Sequence, residues 1–542
     1  MATSNHGFVR GANLARESRL FEGRFGRMFR SLPPLDLDPG NKDVRALVER
    51  MARPKAEKDD QERLMARAED DGPTLETRPD EEENLNIPAG YTYLGQFIDH
   101  DLTFDPASSM ERLNDPEALI DFRTPRFDLD SVYGRGPDDQ PYMYHVPRRG
   151  ETRHFHLGAP IGVPNTNHID PDARDHLRAA ANNDGVRRAL IGDKRNDENV
   201  LVGQLHTVVM RFHNRFADDH PELSFEQVQQ AVRWHYQWVV LNDYLQKIAG
   251  PEMVDSILPH LAKRSSIFVD TPKLLHFDWK NDPYLPTEFS AAAFRFGHSM
   301  VRPIYRLSRG FEDLNSDPIG KKKETGRRMI FDPEFKLGLN GFGEPPGGWG
   351  IEWDLYFGTN TGEQSANRVQ PSYKVDTSLV NPLAHLPEFD FVPVEANLAY
   401  RNILRGLAMR LPSGEDVARA MGLTPILKEW LVIGMATDDK GFKGGDTIAS
   451  FELDGKPPFD GRTPLWLYVL CEGAKNALEG RQHALGEVGG RIVAETMIGL
   501  MLGDKQSFLH QYPAWPSDDG VVAHDMLSFI RYATSKSNLA AA

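Results

Sequence analysis

A single cysteine, Cys471, stands among 542 residues. No intrachain disulfide can staple this chain, so its fold must be held by a buried core and by its own hydrogen bonds. The same count removes CxxC redox centres, iron–sulfur ligation and haem attachment through CxxCH. The length can bury a large core, although length alone suggests three or four domains. Residues are 40% hydrophobic and 26% charged, an ordinary globular balance. A net charge of −16 argues against a general nucleic-acid binder and against docking on anionic lipid. No run of about 18 apolar residues occurs, so no membrane-spanning helix is expected. The opening MATSNHGFVRGANLARESRLFEGRFGRMF lacks the apolar core of a secretory signal, and its arginines leave a targeting role open. The cytoplasm is the default compartment, with leaderless export still open.

Residues 1–85 read as a charged N-terminal arm, solvated or wrapped around the rest, because 55–84 has few large apolar side chains. From 86 to 542 the texture is that of one helical domain. The clearest helix spans 225–248: Ser224 and Gln227 have capping-box spacing, and Ala231, Trp234, Trp238, Leu241 and Leu245 draw one apolar face. Core packing explains that stripe. Further helices are expected over 199–217, 288–301, 395–409 and 487–503. Strand signals are few, and 308–375, rich in Gly, Pro and Lys, reads as a long irregular segment. The expected class is mainly α, with little β and long irregular loops.

Five patches carry chemistry. In GQFIDHDLTFDP, a helix places Gln96, Asp99 and His100 on one face and turns Asp101 away by about 100°. By composition alone, an exposed polar helix with one satisfied histidine is the better reading. In FRTPRFDLDSVYG, spacing two lets Thr124, Asp128 and Asp130 converge their oxygens with the Arg126 carbonyl, a cage suited to Ca²⁺ that Asp101 could complete; a polar turn explains it as well. In GDKRNDEN, Arg195 and Glu198 lie three apart on the opening of a helix, as a surface ion pair also would. His206 and His213 in the following helix read as satisfied core histidines. In AAFRFGHSMVRP, His298 has small neighbours that leave room for something flat, with Arg295 three residues earlier. In LAYRNILRGLAMRLPSG, Asn402 and Arg405 stand three apart, as in any amphipathic helix.

Taken together and in this order, the five patches resemble the animal haem peroxidases, over about residues 88–511, including GRIVAETMIGLMLGD. The likeness is to the bacterial and peroxinectin-like branch of the peroxidase–cyclooxygenase superfamily. It implies a single large helical haem-peroxidase domain with haem b and Ca²⁺. His298 would be the proximal iron ligand, Asn402 the amide on its other nitrogen, and Arg405 the partner of a haem propionate. His100 would be the distal acid–base group, Arg195 the distal cation, and Gln96 the amide that orients water or halide. Asp99 and Glu198 match the carboxylates esterified to haem methyls. Asn199 stands where some members carry a methionine, so the sulfonium link is not expected. Asp101, Thr124, Arg126 through its carbonyl, Asp128 and Asp130 match the calcium ligands.

The implied activity is reduction of H₂O₂ through a ferryl state that oxidises small donors: phenols and other organic one-electron donors, halides or pseudohalides. A fatty-acid dioxygenase of the same superfamily is the first rival. It is disfavoured because Arg295 stands where cyclooxygenases have a radical-forming tyrosine. A non-catalytic adhesion or interaction protein on the same fold is the second, disfavoured by the intact Gln96, His100, Arg195 and His298. Oligomeric state is not readable.

Overall fold

The computed structural model describes residues 23–52, 81–103, 120–147 except 122 and 146, 152–162, 170–280 except 184, 284–309, 327–331, 338–362, 368–386, 394–437 except 395, 441–515 except 514, and 524–535. Helices dominate. The long ones are α1 (Lys42–Met51), α2 (Gly90–Leu102), α3 (Val200–Asp219), α4 (Phe225–Val239), α5 (Leu398–Ala408), α6 (Leu465–Leu478), α7 (Glu487–Gly503) and α8 (Met526–Thr534). Strands are short. Gly23–Gly26 lies between Ile120–Asp121 and Leu285–Pro286, and four separate two-stranded ribbons complete the β structure among the described residues. No described helix is long and apolar enough to cross a membrane.

The expected helix over 225–248 forms, and Ser224 and Gln227 make the reciprocal cap. It is not uniform: a π turn at Val240–Tyr244 interrupts it before Leu245–Ile248. Asn199 caps α3 by accepting from Val202 N. Gly250, at φ 92°, ends the run in a conformation that L side chains rarely adopt, and Pro251 opens the next helix.

Three details differ from the sequence reading. Residues 288–301 are not one helix but a short α turn, Thr287–Ser290, followed by a 3₁₀ turn, Ala293–His298. Ala292, at φ −139° and ψ −75°, breaks them, and an alanine-rich apolar run suits either turn type. Arg195 and Glu198 do not open α3: Lys194–Asp197 is a separate 3₁₀ turn, capped by Asp193 and closed by Glu198. Finally, of the solvated and wrapped forms expected for the arm, the solvated one does not hold over residues 23–52, which pack onto the rest. Val44, Leu47, Val48 and Met51 of α1 are buried, and α1 lies against α5. Residues 1–22, 53–80, 104–106 and much of 308–375 lie outside the described residues.

α2 is positioned by what precedes it. The strand Glu83–Pro88 pairs antiparallel with Pro371–Tyr373 and leads directly into the helix. Gly90 admits the Phe357 ring and the Tyr356 carbonyl, both 2.6 Å from where a Cβ would sit. Buried Glu83 accepts from Arg368 Nη2 at 2.6 and 2.7 Å and from Arg302 Nη1 at 2.9 Å. One carboxylate therefore ties the chain before α2 to the chain just after His298. Removing it strands two buried guanidiniums, and breaking such a pair costs ~3–5 kcal/mol. Glu83→Gln is expected to lower stability by that amount in urea unfolding; a loss under ~1 kcal/mol would show that the clamp is dispensable.

Candidate active site

A cavity of about 240 Å³ opens between α2, the Glu198–Asn199 corner, the π turn at Tyr244 and the 294–301 segment. Its lining includes Gln96, Asp99, His100, Glu198 and His298, with Arg295, Tyr91, Tyr93 and the apolar Phe294, Phe296, Ile330 and Leu383. Beside His298 there is open space: a Cβ on Gly297 would meet nothing within 4 Å. Gly95 plays the opposite part, because a Cβ there would stand 2.6 Å from the Tyr244 hydroxyl. A larger surface groove, near Lys247, Arg481 and Glu487, holds none of the candidate residues.

On the 3₁₀ side, Asn402 of α5 reaches across to His298, with its Nδ2 2.8 Å from Nδ1. Arg295 Nη1 donates to the same amide's Oδ1 at 3.1 Å, and its Nε donates to Ser290 O at 2.9 Å. The Asn402 amide is thus turned by Arg295. Nδ1 of His298 accepts, and in this arrangement the ring proton sits on Nε2. To hold a metal at Nε2, the ring would carry its proton on Nδ1, and the Asn402 amide would present its oxygen there. Burial, aided by the Arg295 charge, lowers the His298 pKa to about 3, so the ring is neutral at physiological pH, as a metal ligand must be. Arg405 lies on the next residues of α5 and does not line the cavity.

On the α2 side, His100 Nδ1 lies 2.8 Å from Asn196 Oδ1, and its Nε2 lies 3.8 Å from Glu198 Oε2. Burial first, and then the Arg195 charge, lowers the His100 pKa to about 3. Gln96 donates to Glu198 Oε2 at 3.2 Å and accepts from Asn199 Nδ2 at 3.1 Å. Asp99 is raised by burial, although the Arg195 and Arg295 charges oppose the shift.

Arg195 is close to this wall but is not part of the lining. Its Nε lies 3.2 Å from both Asp193 oxygens, its Nη2 donates to Asp193 Oδ2 at 2.8 Å, and Nη2 also reaches the carbonyls of His100 (3.1 Å) and Thr103. The guanidinium therefore caps the C-terminal end of α2. Asp193 is held well below the usual carboxylate range, because Arg195 and Arg123 outweigh its burial.

Asp101, on the far side of α2, meets Asp128 and Asp130, with ligand oxygens all within 4.8 Å of one another. Leu129 takes a left-handed conformation (φ 57°) between the last two and donates its N–H to Asp101 Oδ2 at 3.2 Å. Thr124 Oγ1 lies 2.7 Å from Asp128 Oδ2. Burial and mutual repulsion raise Asp101 well above its usual range and Asp130 to about 7, while Arg123, 3.2 Å from Asp130 Oδ1, opposes the second shift. Three carboxylates held this close are costly without a cation. The donor set is all oxygen, which suits Ca²⁺.

Sequence reasoning missed Asn196, which holds His100, and Asp193, which holds Arg195. It also took His206 as satisfied, whereas only its Nδ1 has a partner, Asn196 Nδ2 at 2.9 Å; the buried Nε2 has no hydrogen bond. His213 is satisfied, between Tyr133 and the Arg153 carbonyl at 2.9 Å each. The only local signal was that Asp193 and Asn196 flank Arg195 within GDKRNDEN.

Comparison with known proteins gives a consistent result. The family model for animal haem peroxidase matches residues 108–426. That stretch contains 124–130, Arg195, Glu198, His298, Asn402 and Arg405, and begins after α2. Rat thyroid peroxidase is 26% identical over 223 residues, 38% of this chain and 22% of its own length. A peroxidasin homolog from Caenorhabditis elegans is 24% identical over 435 residues, 80% of this chain and 30% of that protein. The chain therefore spans under a third of these curated relatives. Peroxidase A from Dictyostelium discoideum superposes with a TM-score of 0.53 at 15% identity, covering 95% of this chain and 94% of that one, which shows the fold.

Proposed function

We propose, from the premise that this chain belongs to the animal haem peroxidase family, that it reduces hydrogen peroxide and oxidises small donors: phenols and other organic one-electron donors, halides or pseudohalides. The observation that carries the reading is one cavity with a neutral histidine on each of two walls, His298 held by Asn402 and His100 held by Asn196.

The lining fits haem b: open space beside Gly297, aromatic and apolar walls, and an imidazole whose Nδ1 is already engaged. His298 would hold the iron, and Arg405 would pair with a propionate. Bound haem would supply the iron that takes peroxide and stores its oxidising equivalents. His100 accepts the peroxide proton at Nε2 and returns it to the departing oxygen. The Arg195 charge favours the negative charge that develops as the O–O bond breaks, and it adds to burial in keeping His100 neutral. Gln96, tied to Glu198 and Asn199, orients water or a halide.

The dioxygenase reading finds less support. Arg295, three residues before His298, is engaged by Ser290 and Asn402 and cannot form a phenoxyl radical. The non-catalytic reading asks a full distal set to persist without use.

Reconstituted protein is expected to change its Soret spectrum rapidly with one equivalent of H₂O₂, and His100→Ala or Arg195→Ala to slow that step ~10²–10⁴-fold while haem stays bound. The sign of the pH dependence follows from His100. A lowered pKa preserves the base, so the rate is flat between about pH 5 and 8 and falls only as acid approaches the folded pKa of about 3. A normal haem spectrum indifferent to peroxide would sink the activity.

Asp99 and Glu198 both line the cavity, and we assign them the two ester links to haem methyls, formed in a peroxide-driven step. Acid–organic extraction is then expected to leave haem on peroxide-treated protein; complete release removes the esters and leaves the peroxidase reading standing. Calcium is assigned to Asp101, Thr124, the Arg126 carbonyl, Asp128 and Asp130. One tightly held calcium per chain should survive dialysis in wild type and be lost in Asp128→Asn with a lower melting temperature; a wild type free of calcium refutes the site.

A further inference from the structure

We infer that His206, acting through the Asn196 amide, sets which nitrogen of His100 carries the ring proton, so that Asn196 and His206 are positioning residues for the base of the cavity. The catalytic consequence rests on the peroxidase reading; the proton assignment does not.

Each ring proton follows from which atom of the Asn196 amide faces it. Asn196 Oδ1, 2.8 Å from His100 Nδ1, can only accept, so that nitrogen bears the proton and Nε2 keeps its lone pair. Asn196 Nδ2, 2.9 Å from His206 Nδ1, can only donate, so His206 carries its proton on Nε2. A planar amide cannot turn one end without the other. Rotated by 180°, it would need both histidines to exchange tautomers together. The two rings are therefore locked in opposite states by a single side chain.

Among the described residues, none accepts a hydrogen bond from His100 Nε2. Glu198 Oε2, at 3.8 Å, is beyond hydrogen-bond reach and already receives Gln96 Nε2 at 3.2 Å. The lone pair is thus left for an incoming acidic proton. Asn196 is also fixed through its backbone: the His176 Nε2–H lies 3.3 Å from its carbonyl, and His176 packs edge to face on His206 at 5.0 Å. Gly203 permits this packing, since a Cβ there would meet His176 Nε2 at 3.2 Å. All three rings and Asn196 are buried, so no bulk water competes for the amide.

The test uses full-length protein labelled with ¹⁵N in its histidine rings, haem-free and haem-loaded, with signals assigned by His100→Gln and His206→Gln. Wild type is expected to show His100 protonated at Nδ1 and bare at Nε2, and His206 the reverse. Asn196→Asp offers acceptors to both rings, so His206 should gain a proton on Nδ1 while His100 is unchanged. Asn196→Leu should release the His100 tautomer and slow the reaction of loaded protein with peroxide about 10²-fold, with the donor-dependent step unchanged. A wild-type proton on His100 Nε2, or an Asn196→Asp spectrum with His206 unaltered, overturns the inference. If Asn196→Leu does not fold, the wild-type and Asn196→Asp spectra decide alone. If the tautomers are as stated but loaded wild type ignores peroxide, the peroxidase reading fails and the assignment stands.

Discussion

The site depends on α2 being buried on almost every side while carrying four polar side chains in six residues. Tyr91, Tyr93, Leu94, Phe97, Ile98 and Leu102 fill the core around it, and Asp101 is wholly inaccessible. A polar group in that setting costs free energy unless it is hydrogen-bonded. Three of the four therefore draw a partner from a distant part of the chain: Asn196 for His100, Glu198 and Asn199 for Gln96, the 129–131 turn for Asp101. Even the helix end is closed by Arg195. The segment 193–199 and the 123–131 loop take their positions from what α2 needs.

Asp193 joins these demands electrically. It accepts from Arg195, which caps α2, and from Arg123 at 2.7 Å, while Arg123 also faces Asp130 of the carboxylate cluster. The order Asp130, Arg123, Asp193, Arg195 alternates in sign across buried and half-buried positions, so charge added at the cluster is felt at the cavity wall without any contact between them. His100 and Asp101 are adjacent on one helix and look into opposite sites.

Much of this was legible in the sequence and some was not, for physical reasons. The α4 cap and stripe are local signals, and they formed as spaced. The alternation of Thr124, Asp128 and Asp130 predicted convergence, and the left-handed Leu129 is how the backbone achieves it. The 288–301 stretch misled because apolar residues with alanines satisfy helical and 3₁₀ turns alike; only the backbone at Ala292 separates them. Asp193 and Asn196 look like ordinary turn residues after Gly192. Their value lies in partners about 70 and 96 residues away along the chain, which no window of sequence contains. The heavily charged stretch from 55 to 84 coloured the reading of all of 1–85. Val44, Leu47, Val48 and Met51 already stood at helical spacing in its first half.

The remaining asymmetry concerns where the fold is at odds with itself. His100, His206 and Asn196 form a neutral, hydrogen-bonded unit that is complete except for the Nε2 atom of each ring. The carboxylate cluster is not: Asp101 and Asp130 are both displaced upward by burial and by the nearby Asp128 charge, and Arg123 is shared with Asp193. A divalent cation there would remove repulsion, release protons and return Arg123 to Asp193. That in turn strengthens the charge pairing behind Arg195. On the proposed calcium assignment, affinity for the cation and order at the cavity wall would be two readings of one electrostatic network, although none of the cluster's oxygens lines the cavity.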